Sequence, residues 1–414
     1  MGSPFFSIII PTRNRYETLQ YSIQTVLSQR FDSFELIISD NSDIENLSEK
    51  KIIEPYLKDQ KVKYIRPNEA LPMSDHWEFA LSNAVGEYCI IFGDDDGLVF
   101  NSLQIIYDII QKSKRPVISW ARVEYNWPNS LPSEASNMMI IPYTGKSGLI
   151  DSEKYIKKVI EYKGDYRYLP MFYNSAIHKN LIKELKIKTG KVFDASSPDI
   201  YSGYAFAHLS KEYISIGYPL SINGVSGKSN GAAHLNNNTT LIDSTWSLQK
   251  KSTITWPESL PKLNTSYVGI IEPFIKLSNH FKEITNYISR KNIYQIILDN
   301  LDSNTADEHK SKMDIVLKSS ENMPKLYKWI ENYLKNKVYT SPVSKKVSIE
   351  ERTGFNGSHL VLDASKFHLE NVYDVSIFIK NIFGNKRDFD DTKFVELNLF
   401  GRIKRAGGII LRGM

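Results

Sequence analysis

Three consecutive carboxylates, Asp94, Asp95 and Asp96, stand between Gly93 and Gly97, directly after the apolar run from Tyr88 to Phe92. Adjacent ionised carboxylates repel one another, so a fold that gathers them needs a cation nearby. Oxygen ligands on a short turn suit Mg2+ or Mn2+, hard ions that take one or two protein carboxylates and leave their other positions to water and phosphate oxygens. The chemistry expected here is a metal-diphosphate site; a solvated acidic turn would carry the same residues, and only context separates the two. A second segment, Gly224 to His234, combines backbone freedom with polar donors and could close over a diphosphate, with Lys228 neutralising phosphate charge. It is not a P-loop, because no G-x-x-x-x-G-K-[ST] follows a strand.

These side chains need elements that deliver them to one place. Short β-rich runs at Phe5 to Ile10, Phe34 to Ser39, Val62 to Ile65, Glu87 to Phe92 and Val117 to Trp120 alternate with helical patterns at Tyr16 to Gln29, Ser74 to Ala84 and Asn101 to Lys112. Strands spaced by helices predict an α/β domain with a mostly parallel sheet, whose ligands bind at the carboxyl ends of the strands. Those ends carry Pro11 to Arg15, Asp40 to Asp43 and Gly93 to Gly97, so three polar clusters are expected on one edge. The stretch from Glu124 to Gly148, rich in Pro, Ser, Asn and Gly, reads as a hairpin or an excursion over that edge. A further strand over Phe172 to Ile177, a helix starting near Ser197 and Pro198 and a strand pair before Asn223 follow. From Ser266 to Lys337 the pattern turns helical, and beyond Tyr339 it is mixed, with a basic tail containing Arg402, Lys404, Arg405 and Arg412.

Composition excludes several classes. In 414 residues, 24% charged and 41% hydrophobic usage is that of an ordinary globular chain, long enough for a catalytic domain with a helical appendix. A net charge of +5 is too mild for a nucleic-acid footprint, so no nucleic-acid partner is expected. The single cysteine, Cys89, lies in an apolar run and reads as a small buried residue in a reducing compartment. Apolar stretches of about six residues fall far short of the roughly 20 that cross a bilayer. The expected location is cytoplasmic, with the basic tail as a possible peripheral contact to an anionic membrane surface.

Ser7 to Arg15, Glu35 to Ser42 and the aspartate cluster occur in order and at familiar spacing, and together they resemble the family 2 glycosyltransferases of GT-A fold. The resemblance covers roughly Phe5 to Asn238. It implies that residues 1–245 form the catalytic domain; residues 246–414, helical then mixed in pattern, lie outside the resemblance and are expected to serve acceptor binding or association. It also implies that Pro11, Thr12 and Arg13 line the nucleotide pocket and that Asp40 accepts a hydrogen bond from the base, typically uracil. Asp94 would touch the ribose or sugar, Asp95 would be the variable middle position of the donor-binding D-x-D element, and Asp96 would bind the Mn2+ or Mg2+ that bridges the diphosphate. Asp199, at a helix start, would be the general base of an inverting transfer, with Asp194 as fallback; His234 would complete the metal shell. His76 and Trp77 begin a helix that the family lays near the donor. Plain alternatives stand beside these roles: Asp40 as an Asx-turn residue, Arg13 and Arg15 as surface charges, Trp77 as core, Asp199 as decoration of a helix N-terminus.

The implied activity is transfer of a hexosyl or N-acetylhexosaminyl group from a nucleotide sugar, expected to be a UDP-sugar, to a saccharide or polyprenyl-linked saccharide acceptor in bacterial capsule or O-antigen synthesis. Association into a homo-oligomer is compatible with it. A nucleotidyltransferase or dehydrogenase would need a Gly-rich loop after the first strand, where this chain has Pro-Thr-Arg-Asn-Arg. The rival from another class is an inactive nucleotide-sugar-binding scaffold.

Overall fold

The computed structural model describes residues 3–142, 147–229, 251–301, 305–335, 353–355 and 357–383. The first strand, β1 (Phe6–Thr12), is buried along its whole length. Its unbroken apolar run belongs to a strand covered on both faces, as parallel strands are. β2 (Phe34–Asp40), β3 (Val62–Ile65) and β4 (Tyr88–Ile91) complete a parallel group in the order β3-β2-β1-β4. In α1 (Tyr16–Leu27), Tyr16, Leu19, Ile23 and Val26 recur at helical spacing and form the buried face. α2 (Met73–Ser82) leads into β4, and α3 (Ser102–Ser113) follows the short strand β5 (Gly97–Leu98).

The sheet then departs from simple alternation. β6 (Val117–Asn126) is longer than expected and runs parallel to β10 (Glu212–Val225). Between β4 and β6 lies β9 (Ser175–His178), antiparallel to both. The strand expected over Phe172 to Ile177 is therefore only partly present, because Phe172–Asn174 is a 3-10 turn. Its cause is the fully buried Asn174, whose side-chain amide donates to Ser119 Oγ and to the Trp120 carbonyl at 3.2 Å each and bends the chain into the sheet. The expected excursion contains β7 (Met138–Pro142) and β8 (Gly148–Asp151), which pair with β6 and β10. α4 (Ser152–Ile160) and α5 (Lys179–Thr189) flank this region.

α6 (Pro198–Ser210) is apolar all round and enclosed on nearly every side, as such a helix must be. It is covered by α7 (Ser266–His280), and Tyr204 of α6 meets Phe274 of α7 edge to face at 5.5 Å. α8 (Arg290–Asp299), α9 (Ala306–Lys318) and α10 (Pro324–Lys335) extend this helical layer, so the helical pattern read after Ser266 is present. β12 (His359–Asp363), with the two-residue β11 (Gly354–Phe355) beside it, adds antiparallel to β7, and α11 (Val372–Phe383) returns to α1. Cys89 is buried and free. Among the described residues no helix is long and apolar enough to cross a membrane.

Residues on both sides of position 245 share one core: Trp77, Phe172, Tyr201 and Tyr204 pack in the same cluster as Tyr267, Ile271, Phe274 and Leu277. Ending the chain at residue 245 would bare the whole face of α6. At about 1.5–3 kcal/mol per exposed large apolar side chain, the truncated chain is expected to aggregate, and size-exclusion chromatography would show void-volume material in place of a monodisperse peak.

Candidate active site

The three polar clusters meet at the carboxyl ends of β1, β2 and β4. Asp94 has no solvent-accessible surface; Thr12 Oγ1 donates to its Oδ2 at 2.6 Å and the Arg15 guanidinium lies 2.8 Å from its Oδ1. The same guanidinium is 3.6 Å from Asp95. Arg15, readable in sequence as a surface charge, is thus the internal counter-cation of the acid turn. Burial works against its charge, but the surrounding carboxylates more than offset this, and its pKa is raised further.

The turn is fixed from several sides. Ser226 donates to Asp95 Oδ2 through its hydroxyl at 2.7 Å and its N–H at 3.2 Å, and the Trp127 indole N–H donates to the Asp95 carbonyl at 3.0 Å. Asp96 accepts from the N–H groups of Gly93 at 2.7 Å and Gly224 at 2.8 Å, while Ser22 Oγ donates to its carbonyl at 2.6 Å. A Cβ on Gly224 would stand 1.7 Å from the Asp95 carbonyl oxygen, so no side chain fits there. Burial pushes the Asp96 carboxyl well above the usual carboxylate range and repulsion from Asp95 adds to it; the two N–H bonds only partly oppose this. Asp94 is also raised by burial, with Arg15 opposing.

Among the described residues, no three His, Cys, Asp or Glu side chains are arranged to enclose a metal by themselves. The turn nevertheless fits a divalent ion by charge and by donor chemistry. One guanidinium faces three buried carboxylates, all donors are oxygens, and an ion bound mainly through phosphate needs only one or two of them. Asp96 and Asp95 are the groups that would hold it. His234 lies outside the described residues.

Asp40 is enclosed. Its carboxylate accepts from Tyr16 Oη at 2.5 Å, from Tyr64 Oη and from the Ser42 N–H at 2.8 Å, and it meets Arg66 at 3.1 Å. Burial would raise its pKa, but these bonds prevail and hold it below the ordinary range. In this arrangement its two oxygens are engaged by the protein, so the expected bond to a base would have to displace one of the phenols. Pro11 is buried beside Ser39 on β2, and Arg13 reaches Asp43 at 3.1 Å. Asn14, in the left-handed region at φ 56°, is bonded to both Ser42 and Asp43, which staples the loop after β1 to the loop after β2. His76 bonds Ser39 Oγ at 2.9 Å and is kept neutral by burial, its pKa driven down to about 4. Trp77 packs edge-on against Tyr173 and Phe193 at 5.3 Å each, as core.

Asp199 occupies the first turn of α6 behind Ser197 and Pro198. Its pKa is raised by burial, with the Ile200 N–H and Arg122 opposing. Burial pushes the Tyr173 phenol well above its usual range, and the charges of Asp96, Asp199 and Asp95 add to this while Arg15 opposes it. Arg122 acts on both Asp96 and Asp199; its side chain is 10% exposed and its nearest carboxylate, Glu124, is 3.8 Å away. Asp194 is instead paired with Lys276 at 3.2 Å. Lys228 is exposed at the end of β10, beyond Gly227, whose N–H is held by Asn129 at 3.1 Å.

Sequence reasoning missed Tyr64, Arg66, Arg122, Tyr173 and Ser226. A signal existed for Arg66, which follows the carboxyl end of β3 on the same edge as the recognised clusters. Arg122 lies mid-strand in an apolar run, where spacing gives no hint.

This α/β domain, with an acid turn at the switch of a mostly parallel sheet, is of the GT-A class. Residues 7–186 match the model of glycosyl transferase family 2. Over 200 residues it is 22% identical to the glycosyltransferase GlyG of Streptococcus pneumoniae, a match covering 46% of this chain and 62% of that protein. Over 105 residues it is 29% identical to the GalNAc(5)-diNAcBac-PP-undecaprenol beta-1,3-glucosyltransferase of Campylobacter jejuni, covering 25% and 33%. These matches span less than two thirds of the length of either curated relative. Among solved structures, S. aureus TarS 1-349 in complex with UDP aligns at a TM-score of 0.46 with 14% identity, over 82% of this chain and 94% of that one.

Two outcomes follow from the charge balance. Arg15→Met leaves Asp94 and Asp95 without their cation and should cost about 3–5 kcal/mol in urea unfolding. The second concerns Asp96, whose folded-state pKa is raised: its stabilising contribution is complete below the unfolded carboxylate value of about 4 and is lost as pH rises through the folded value. Asp96→Asn should therefore gain stability relative to wild type as the metal-free protein is taken from pH 4 upward, by about 1.4 kcal/mol per unit of upward shift. A constant difference across that range in pH-dependent melting would contradict the assignment.

Proposed function

We propose that this protein is an inverting, metal-dependent glycosyltransferase that moves a hexosyl or N-acetylhexosaminyl group from a UDP-sugar to a saccharide or lipid-linked saccharide in bacterial surface-polysaccharide synthesis. The observation that carries this reading is the buried acid turn, held by Thr12, Arg15 and Ser226 at the carboxyl ends of the strands, in a segment that matches the family 2 model.

Thr12 and Arg15 orient Asp94 toward the donor's ribose or sugar. Pro11, Arg13 and the Asp40 network with Tyr16, Tyr64 and Arg66 form the wall for the base, Asp40 ordering the phenols or exchanging one of them for the base imide. A divalent ion held by Asp96 and Asp95 would offset the negative charge that develops on the departing diphosphate. Asp199 accepts the proton of the acceptor hydroxyl as its oxygen bonds to the anomeric carbon; the bond from that carbon to the diphosphate oxygen breaks, and its electron pair leaves with the nucleoside diphosphate. Burial brings the Asp199 carboxylate closer in basicity to a useful proton acceptor. Lys228 would neutralise phosphate charge and His234 would complete the metal shell. Residues 1–245 would supply donor binding and the base, and 246–414 would serve acceptor binding or association.

Calorimetry with UDP tests the donor site. Binding is expected with Mn2+, weakened or lost in EDTA and in Asp96→Ala; metal-independent binding of equal strength in both proteins would sink the metal role. Asp199→Ala should retain UDP affinity and lose about 10²–10⁴-fold in turnover of UDP-glucose or UDP-N-acetylglucosamine, the range for a general base. Unimpaired turnover by that variant would remove Asp199 from the mechanism.

A further inference from the structure

The segment Lys191 to Ser196, which leads into Asp199, is gripped along its length by two helices. From α2, Glu78 accepts the N–H groups of Val192 and of Phe193, the latter at 2.8 Å; Ser74 Oγ donates to the Ala195 carbonyl at 3.3 Å; and Asp75 holds the Lys191 ammonium at 2.9 Å. From α7, Glu272 accepts the Ser196 hydroxyl at 2.8 Å and the Ser196 N–H at 3.2 Å, while Lys276 takes Asp194 at 3.2 Å. Glu272 has no accessible surface, and Lys276 is 8% exposed at its side chain. A carboxylate sealed in a helix-helix interface is costly unless its bonds are made, and an apolar residue would pack there more cheaply. The Glu272 bonds are spent on one residue, Ser196, which immediately precedes the N-cap of α6.

We propose that Glu272, with Lys276, is a positioning residue for Asp199: α7 and α2 together clamp the segment that sets where the first turn of α6 begins. This rests on the reading of Asp199 as the base. It gives α7, which lies beyond the family match at residues 7–186, a part in the chemistry itself. It also links the base to the nucleotide wall, because α2 carries His76, which holds Ser39 next to Asp40. Glu272 meets Ser196 through its hydroxyl and its N–H, Lys276 meets the Asp194 carboxylate, and both act on Asp199 through the Asp194–Ser197 segment.

The test compares Glu272→Ala and the milder Ser196→Ala, each alone and combined with Asp199→Asn, in the full chain. UDP affinity with Mn2+ and thermal unfolding report folding and donor binding; UDP release from UDP-glucose and UDP-N-acetylglucosamine reports turnover. Small displacements of a reacting group cost up to 10²-fold, so kcat should fall on the order of 10- to 10²-fold in Glu272→Ala and less in Ser196→Ala. The donor KM and UDP affinity should stay near wild type. In the Asp199→Asn background neither substitution should lower the residual rate further, since a residue that acts only through the base has nothing left to position. Wild-type kcat in both single variants, or equal fractional losses with and without Asp199, would overturn the clamp while leaving the base intact. Full turnover by Asp199→Asn would overturn the base assignment and the clamp together.

Discussion

The structure depends on how one chain keeps three carboxylates out of water. Asp94 has no exposed surface and Asp95 and Asp96 have little, and isolated ionised groups could not stay there. Arg15 makes the arrangement possible for Asp94 and Asp95, and Thr12, Ser226 and two backbone N–H groups complete it. These partners come from β1, the start of α1, the Gly93 turn and the end of β10. The acid turn therefore pins together elements far apart in sequence, and Gly224 allows it because only a residue without a side chain lets β10 pass so close to the Asp95 carbonyl. Asp96 has no cation at ion-pair distance among the described residues, and burial with repulsion from Asp95 holds its carboxyl back from ionising.

Around this centre the chain builds two walls by different means. At the carboxyl end of β2, Asp40 collects two phenols, an N–H and Arg66 into a closed cluster, and Asn14 ties the loops after β1 and β2 into one piece. At the start of α6, burial favours the neutral form of Asp199 and Arg122 favours its charge, and Asp199 in turn acts on the Tyr166 and Tyr173 phenols. One side is rigid and saturated with hydrogen bonds, whereas the other keeps a guanidinium whose nearest partner is at ion-pair distance only.

Much of the frame was legible because parallel strands buried on both faces write themselves as continuous apolar runs: β1, β2 and β4 are read almost to the residue, and with them the edge where Thr12, Asp40 and Asp94 converge. β9 was blurred because its entry is set by the side chain of Asn174 inside the sheet, a tertiary contact with no local pattern. Arg15 was legible as part of a motif but ambiguous in role, since pairing across β1 and β4 depends on strand order. The contacts of Tyr64, Arg122 and Glu272 were invisible for a related reason. Each is an ordinary strand or helix residue whose importance comes from what a distant segment places beside it.

The late return of the chain also bears on how the molecule comes into being. β12 pairs with β7, and the Tyr125 hydroxyl donates to the Leu369 carbonyl across a separation of 244 residues. Contacts of such long range form slowly, because the intervening loop must be closed before they return any stability. During synthesis the edge of β7 and the far side of α1 thus emerge from the ribosome long before the segment that covers them. A chain that has not yet made this segment leaves a sheet margin open at β7, so crowding or chaperone supply should weigh on its yield more than on the finished fold.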